Sequence, residues 1–337
     1  MNTQIVNRKA AAIPYISGEL QCSDLISIRD LGPQGVRTIL HYAGVMKAHP
    51  ASFRKALGGK QLVMFFEKPS LRTRLTFESG MVGLGGSAFF VDQTQSRLGA
   101  RETLSDVAHN LERWMDGIVL RTFAQATVED IAKYASIPVI NALSDLEHPC
   151  QALADYFTLQ NHFGDLKQLC LAYVGDGNNV AHSLILTAAC LGSKMRIATP
   201  AGYEPDAEIV FEAREIAKET GAVIELLCDP HQAVAGADAI YTDAWASMGQ
   251  EAESDERAGI FPPYQLNWDL AAKAAPHAVF MHCLPAHRGE EITDEVMDSD
   301  RSVVFDQAEN RLHVQKAILY LLMGHPEAHF PPRSAHA

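Results

Sequence analysis

Phe66-Glu67-Lys68-Pro69-Ser70-Leu71-Arg72-Thr73-Arg74 joins an apolar run, Leu62–Phe66, to a segment with helical patterning. The run is short and dense in large side chains, as expected of a strand covered on both faces. Pro69 ends it, and Ser70 can cap the helix that follows. A strand that turns tightly into a capped helix is the opening half of a parallel βαβ unit. Arg72, Thr73 and the first free backbone N–H groups gather at the positive end of that helix. Such a turn is a ready site for a phosphate, and arginine brings a fixed fork of donors that lysine cannot imitate. The same residues also read as an ordinary connection with solvated arginines, so the rest of the chain has to decide.

Outward from this turn, strands and helices alternate. Strands are expected at Gln61–Phe66, Ser87–Val91, Gly117–Arg121 and Pro138–Asn141, separated by helices Arg72–Leu84, Thr103–Trp114 and Val128–Ala135. A helix at His148–His162 then opens a second series. Its strands are Gln168–Val174, Lys194–Ala198, Val223–Leu227, Ala239–Thr242, Ala278–His282 and Ser302–Phe305. Its helices are Val180–Leu191, Asp206–Thr220, Pro230–Ala235, a short one near Asp294–Met297 and the long Glu309–Met323. This order predicts an α/β protein with two doubly wound parallel sheets, His148–His162 connecting them. The 337 residues suit two domains of about 150 each. Ligands of open parallel sheets sit beyond the carboxyl ends of the strands, and the motifs below fall at such ends.

Composition narrows the function. Hydrophobic residues make up 47% and charged residues 20%, as in ordinary globular proteins. A net charge of −13 with no basic stripe argues against a nucleic-acid partner. The longest apolar runs, such as Ser183–Leu191, fall short of the ~20 residues that span a bilayer, so no membrane partner is expected. The six cysteines are far apart, without the close pairs of a zinc site, and read as free thiols of a cytoplasmic protein. Met1–Gln21 has few charges and no clear period and reads as an extended arm.

Six further segments carry polar chemistry, most of them at strand ends. Arg121-Thr122 closes the run Ile118–Leu120, where the arginine meets either water or an anion. His148-Pro149-Cys150-Gln151 opens the connecting helix with proline in its first turn, setting an imidazole and an amide at the cleft. Gly175-Asp176-Gly177-Asn178-Asn179 is spaced like a dinucleotide turn, but Val180 stands at the third glycine; its asparagines suit a small carboxylate instead. Asp243-Ala244-Trp245-Ala246-Ser247-Met248-Gly249 suits a cationic amine with an attached carboxylate, or is a solvated loop anchored by Trp245. The acidic Gln250–Pro263 after it has the composition of a mobile loop. His282-Cys283-Leu284-Pro285 offers a cysteine that is a nucleophile, a packing residue or a polar contact. Arg311, in Glu309-Asn310-Arg311, is a third arginine candidate or an i,i+4 surface partner.

Together these motifs resemble the aspartate/ornithine carbamoyltransferase family, from about Leu62 to Leu322. Its phosphate turn, usually Ser-Thr-Arg-Thr-Arg, reads Ser70-Leu71-Arg72-Thr73-Arg74 here. His148-Pro149-Cys150-Gln151, Asp243 with Ser247-Met248-Gly249, and His282-Cys283-Leu284-Pro285 resemble the ornithine branch; the aspartate branch has Pro-Leu-Pro-Arg late in the chain. The resemblance implies a carbamoyl-phosphate domain at residues 1–147, joined by the C-terminal helix at about 309–325, and an ornithine domain at 148–308. Ser70, Leu71, Arg72, Thr73, Arg121, His148 and Gln151 would hold carbamoyl phosphate. Asn179, Asp243, Ser247 and Met248 would hold ornithine, with Cys283, Leu284 and Arg311 near the carbamoyl carbon. The implied reaction is direct transfer to the δ-amine of L-ornithine, giving citrulline for arginine biosynthesis with no metal or organic cofactor. Cys283 is then a polar contact, and the chain is expected to form a homotrimer or a multiple of trimers.

Two residues depart from the family pattern. Leu71 replaces a threonine, which removes one side-chain bond and leaves a backbone N–H. Arg97, in Gln95-Ser96-Arg97-Leu98-Gly99, stands where the family commonly offers glutamine or histidine to a neighbouring subunit's site. It either adds charge to that phosphate or turns to solvent. Two other enzyme readings stay open: transfer to an N-acylated ornithine or a diamine, and an NAD-dependent oxidoreductase resting on Gly175-x-Gly177 alone.

Overall fold

The computed structural model describes residues 20–93, 97–246 and 253–324. In the first unit, β1 (Gln61–Phe66), β2 (Ser87–Asp92), β3 (Gly117–Arg121) and β4 (Val139–Leu143) form a sheet of order β2-β1-β3-β4. Every pairing in it is parallel. Helices α1 (Ile28–Ala48), α2 (Leu71–Leu84), α3 (Leu104–Trp114) and α4 (Gln125–Tyr134) accompany these strands. Helix α5 (Pro149–Phe163) leads to a second parallel sheet of order β7-β6-β5-β8-β9. Its strands are β5 (Cys170–Val174), β6 (Lys194–Ala198), β7 (Val223–Leu227), β8 (Ala239–Thr242) and β9 (Val279–His282). They alternate with α6 (Asn179–Leu191), α7 (Ala207–Thr220), α8 (Pro230–Val234), α9 (Ser254–Ile260), α10 (Trp268–Ala271) and α11 (Asp294–Met297). The last helix, α12 (Val304–Met323), packs on α1, α2 and α5 and so returns to the first unit.

Local chemistry explains these elements. The strands β3 and β5 are buried at every residue, as central parallel strands covered on both faces must be, and edge strand β4 is equally buried, with Leu25 bridging to its Ile140. Ser70 caps α2 by accepting from the Thr73 N–H, and Asn178 caps α6 through the N–H groups of Val180 and Ala181. From Pro149 to Leu159, α5 is buried on all sides, because α1, α6, α12 and β4 pack around it.

Strand order decides where a ligand can sit. In the first sheet the order reverses between β1 and β3, and in the second between β5 and β8. A crevice opens beyond the carboxyl ends of strands at such switch points. Phe66 pairs with Arg121 at the ends of β1 and β3, and Thr242 with His282 at the ends of β8 and β9. The residues that follow these strand ends line one common cleft.

Two expectations need correction, and one helix is added. Ser302–Phe305 is not a strand: Ser302 makes a single bridge to Phe280, and the chain enters α12 at Val304. The β-branched Val303-Val304 pair looks like strand sequence, but Gln307 N–H donates to the Val303 carbonyl and starts the helix there. The acidic segment after Trp245 is not wholly irregular, since Ser254–Ile260 forms α9; residues 250–252 lie outside the described part. Helix α1 has no clear signal in the sequence. Ser27 and Asp30 form a full capping box, but Gly32 (φ 58°) and Pro33 kink the helix and break its period. Most of the arm Met1–Gln21 lies outside the described residues.

Candidate active site

A cavity of about 740 Å³ lies between the two sheets. Ser70, Leu71, Arg72, Thr73, Arg121, His148, Gln151, Asn179, Asp243, Cys283, Leu284 and Arg311 all line it. Ser247 and Met248 lie outside the described residues. Arg97 lines a separate depression of about 300 Å³, with Gln93 and Trp114, and its guanidinium lies 4.6 Å from the centre of the Phe123 ring.

One wall is cationic. The α2 N-terminus presents Ser70, Leu71, Arg72 and Thr73, with the Ser70 hydroxyl 3.0 Å from Thr73 Oγ1. Leu71 is 72% exposed, so its side chain takes no part in holding the turn. Arg121 is fixed by donating from Nε to the Lys68 carbonyl at 3.2 Å. Arg311 reaches in from α12 and donates from Nη2 to Thr73 Oγ1 at 2.6 Å, leaving its buried Nε without a partner. Burial, followed by the like charges of Arg311 and Arg72, pushes Arg121 down to about 9. Three guanidiniums crowded into a dry wall repel one another, and a dianion between them would relieve that repulsion. His148 is pushed well below its ordinary value by burial, then by Arg311 and Arg121. Its imidazole is therefore neutral and can donate from one nitrogen and accept at the other.

The facing wall is acidic and polar. Asp243 accepts at Oδ2 from Asn178 Nδ2 (2.9 Å), and at Oδ1 from the Ala244 N–H (2.8 Å) and the Cys283 thiol (2.9 Å). Asn179 donates to the Ser144 carbonyl at 2.6 Å. Burial and then Asp243 push the Cys283 thiol well above its ordinary value. A thiol held protonated is a poor nucleophile, and here it serves as a hydrogen-bond donor to Asp243.

Leu284 is, among the described residues, the only non-glycine with positive φ (59°), a conformation that costs on the order of 1–3 kcal/mol for such a residue. Its N–H donates to His282 Nδ1 at 2.9 Å, and His282 Nε2 lies 3.0 Å from Glu291 Oε1 in a fully buried pair. The Leu284–Pro285 peptide is cis.

Donor atoms of Asp243, His282 and Cys283 lie close enough together to surround an ion, as do those of His287, Glu290 and Glu291 at the rim. In the first group both imidazole nitrogens and the thiol are already hydrogen-bonded to protein, so an ion there would displace existing bonds.

Several lining residues carried no signal as site residues in the sequence. Lys68, Trp245 and Arg257 all border the cavity. Arg257 bonds Asp176 at 2.9 Å and donates to the Trp245 carbonyl at 2.6 Å, pinning the segment after β8 to the turn after β5. That turn also settles the glycine pattern. A Cβ on Gly177 would meet Pro205 N at 2.3 Å and Tyr203 O at 2.6 Å, so the glycine is required by a crossing backbone, and the dinucleotide reading loses its sole support.

The fold and this cleft define a carbamoyltransferase: the chain belongs to the aspartate/ornithine carbamoyltransferase family. The carbamoyl-phosphate-binding domain of that family matches residues 23–161 and the aspartate/ornithine-binding domain residues 167–322. Within it, the chain is similar to the ornithine enzymes. It is 52% identical to the ornithine carbamoyltransferase of Thermococcus kodakarensis over 89% of this chain and 96% of that protein. The solved ornithine carbamoyltransferase of Pyrococcus furiosus superposes with a TM-score of 0.87 at 50% identity, covering 93% of this chain and 99% of that one. The enzyme from Gloeobacter violaceus gives 0.82 at 46% identity, covering 91% of this chain and 100% of that one.

Proposed function

We propose that this chain transfers the carbamoyl group of carbamoyl phosphate to the δ-amine of L-ornithine, giving L-citrulline and phosphate for arginine biosynthesis. The observation that carries this reading is the cleft itself, with a cationic wall of Arg72, Arg121 and Arg311 facing the Asp243–Cys283 pair. Phosphate and its bridging oxygen suit the α2 N-terminus and the arginines. His148 and Arg311 suit the carbonyl oxygen as it gains charge, and Asp243 suits the α-ammonium of ornithine. The neutral δ-amine attacks the carbamoyl carbon, a tetrahedral intermediate forms, and the C–O bond to phosphate breaks. The attacking nitrogen gives up a proton to the departing phosphate, which leaves with the bonding pair. Holding both substrates in line and stabilising charge supply the acceleration.

An N-acylated ornithine would set an uncharged amide against Asp243, and a diamine would bring no carboxylate to Asn179, so free ornithine fits best. The lobes would divide at residues 147 and 148, with the C-terminal helix on the carbamoyl-phosphate side. A cytoplasmic homotrimer is inferred as well, the six free cysteines suiting a reducing compartment. Exposed Leu71, Leu75 and Val82 on α2 and Phe89 on edge strand β2 support self-association through the first unit. Among the described residues no helix is long and apolar enough to cross a membrane. The test is production of citrulline and phosphate in equal amounts from carbamoyl phosphate and L-ornithine.

A further inference from the structure

Behind the cleft, fully buried Asp155 on α5 accepts three hydrogen bonds. Gln151 Nε2 and Gln307 Nε2 both donate to its Oδ1 at 2.7 Å, and the Tyr241 hydroxyl donates to Oδ2 at 3.0 Å. In its ionised form, which burial confines to pH above about 7, this carboxylate accepts and does not donate. Both glutamine amides must therefore turn their NH₂ groups to Asp155 and their oxygens away. For Gln307 the oxygen accepts from the His282 N–H at 3.1 Å, at the start of the turn carrying Cys283 and Leu284. For Gln151, which lines the cavity, the buried Oε1 is left without a protein partner.

We propose that Asp155 is a positioning residue for the carbamoyl amide: it fixes Gln151 so that a carbonyl oxygen, and not an NH₂ group, faces the group being transferred. This rests on the carbamoyl-phosphate reading above. The carbamoyl NH₂ is a pure donor at that end of the substrate and needs an acceptor, whereas a misturned Gln151 would meet it donor to donor. Through Gln307 the same carboxylate also ties the carbamoyl-binding wall to the backbone of β9. A neutral side chain at 155 has one acceptor oxygen and its own NH₂, so it would let the Gln151 amide flip.

The test compares carbamoyl phosphate with acetyl phosphate, which has a methyl where the substrate has its amine, and with inorganic phosphate. Affinities are measured by competition at about pH 8, where Asp155 is ionised, on the full chain and on Asp155→Asn and Asp155→Glu. The wild type should prefer carbamoyl to acetyl phosphate. Asp155→Asn should lose roughly tenfold in carbamoyl phosphate affinity, the scale of one buried hydrogen bond. Acetyl phosphate and inorganic phosphate should hold within about twofold, because neither presents an N–H to Gln151. Asp155→Glu keeps the charge but displaces it by one methylene and should lose less of the preference. A folded Asp155→Asn with wild-type preference overturns the proposal, as does equal weakening of all three ligands, which a general packing role would give. If Asp155→Asn does not fold, Asp155→Glu decides by the same ratio. A wild type that binds carbamoyl phosphate without preferring it to acetyl phosphate also overturns the proposal, whereas one that binds no carbamoyl phosphate overturns the proposed function instead.

Discussion

Arg311 Nη2 donates to Thr73 Oγ1 at 2.6 Å, joining the C-terminal helix to the turn that opens α2. Thr73 in turn donates its N–H to the Ser70 cap at 3.3 Å. The cationic wall is therefore assembled from segments far apart in the chain, and protein bonds hold Arg121 and Arg311 in place. Preorganised donors of this kind stabilise charge without reorganisation.

Arg72 is the arginine nearest the helix N-terminus, and its planar fork is what distinguishes it from a simple charge. Arg72→Lys should weaken carbamoyl phosphate about 10- to 100-fold, the range for lost charge-assisted bonds, with the melting temperature unchanged. Calorimetric titration checks this; near-wild-type affinity in a folded variant would take Arg72 out of the site.

Cys283 is a protonated thiol bonded to Asp243, so serine should replace it with a modest loss. Cys283→Ser is expected to keep kcat within about tenfold, whereas removing a covalent nucleophile costs roughly 10⁶. Steady-state kinetics distinguish the two by a wide margin.

On the proposed reading Asp243 would meet the α-amino end of ornithine, so the effect of Asp243→Asn should not depend on the δ-amine. L-Norvaline has the same α-amino and carboxylate groups and no δ-amine. Its inhibition constant and the KM for ornithine should rise together, by about 10- to 100-fold. A rise in one without the other would reassign Asp243.

Glu147 is wholly buried and takes hydrogen bonds from the Ser27 hydroxyl, the Ile28 N–H and the Ser183 hydroxyl. Burial outweighs those bonds and pushes it up from 4.5 to about 7. A carboxyl whose folded value is raised binds more protons in the folded state, so its contribution is fully present below 4.5 and is lost as pH rises to about 7. Asp155, pushed up to about 7 by burial, acts with the same sign. Glu147→Gln should flatten the fall in stability across this window, the gap to wild type shifting in the variant's favour by on the order of 1–3 kcal/mol. Urea unfolding at pH 4.5, 6 and 8 measures it, and parallel curves would contradict it.

Arg97 lies outside the cleft of its own chain. If a neighbouring subunit's cleft receives it, Arg72→Ala and Arg97→Ala trimers, each weakly active, should regain activity when co-assembled, because some sites then have both arginines. No recovery in verified mixed trimers would restrict Arg97 to its stacking on Phe123.

Much of the site was legible because its residues sit at strand ends with strong punctuation. Ser70 before a helix, Pro149 in a first turn and an arginine closing an apolar strand are local signals. What escaped was set by distance in the chain. Asp155 looks like one polar residue in an apolar helix until Gln307 and Tyr241 fold onto it. Gly177 mimicked a cofactor turn because close backbone approach selects glycine whether the neighbour is a ligand or, as here, Tyr203–Pro205. Helix α1 was hidden by the kink at Gly32, and the strand expected at Ser302 by β-branched residues that enter α12.

The central claim is that this cleft joins carbamoyl phosphate to free ornithine, and the most direct measurement is kcat/KM for a panel of amine acceptors at saturating carbamoyl phosphate. L-Ornithine should exceed N-acetylornithine, N-succinylornithine and putrescine by at least about 100-fold, since each lacks a group that the Asp243 wall addresses, with one phosphate released per citrulline. No citrulline from ornithine, or a higher kcat/KM for any of the other three, would contradict the account.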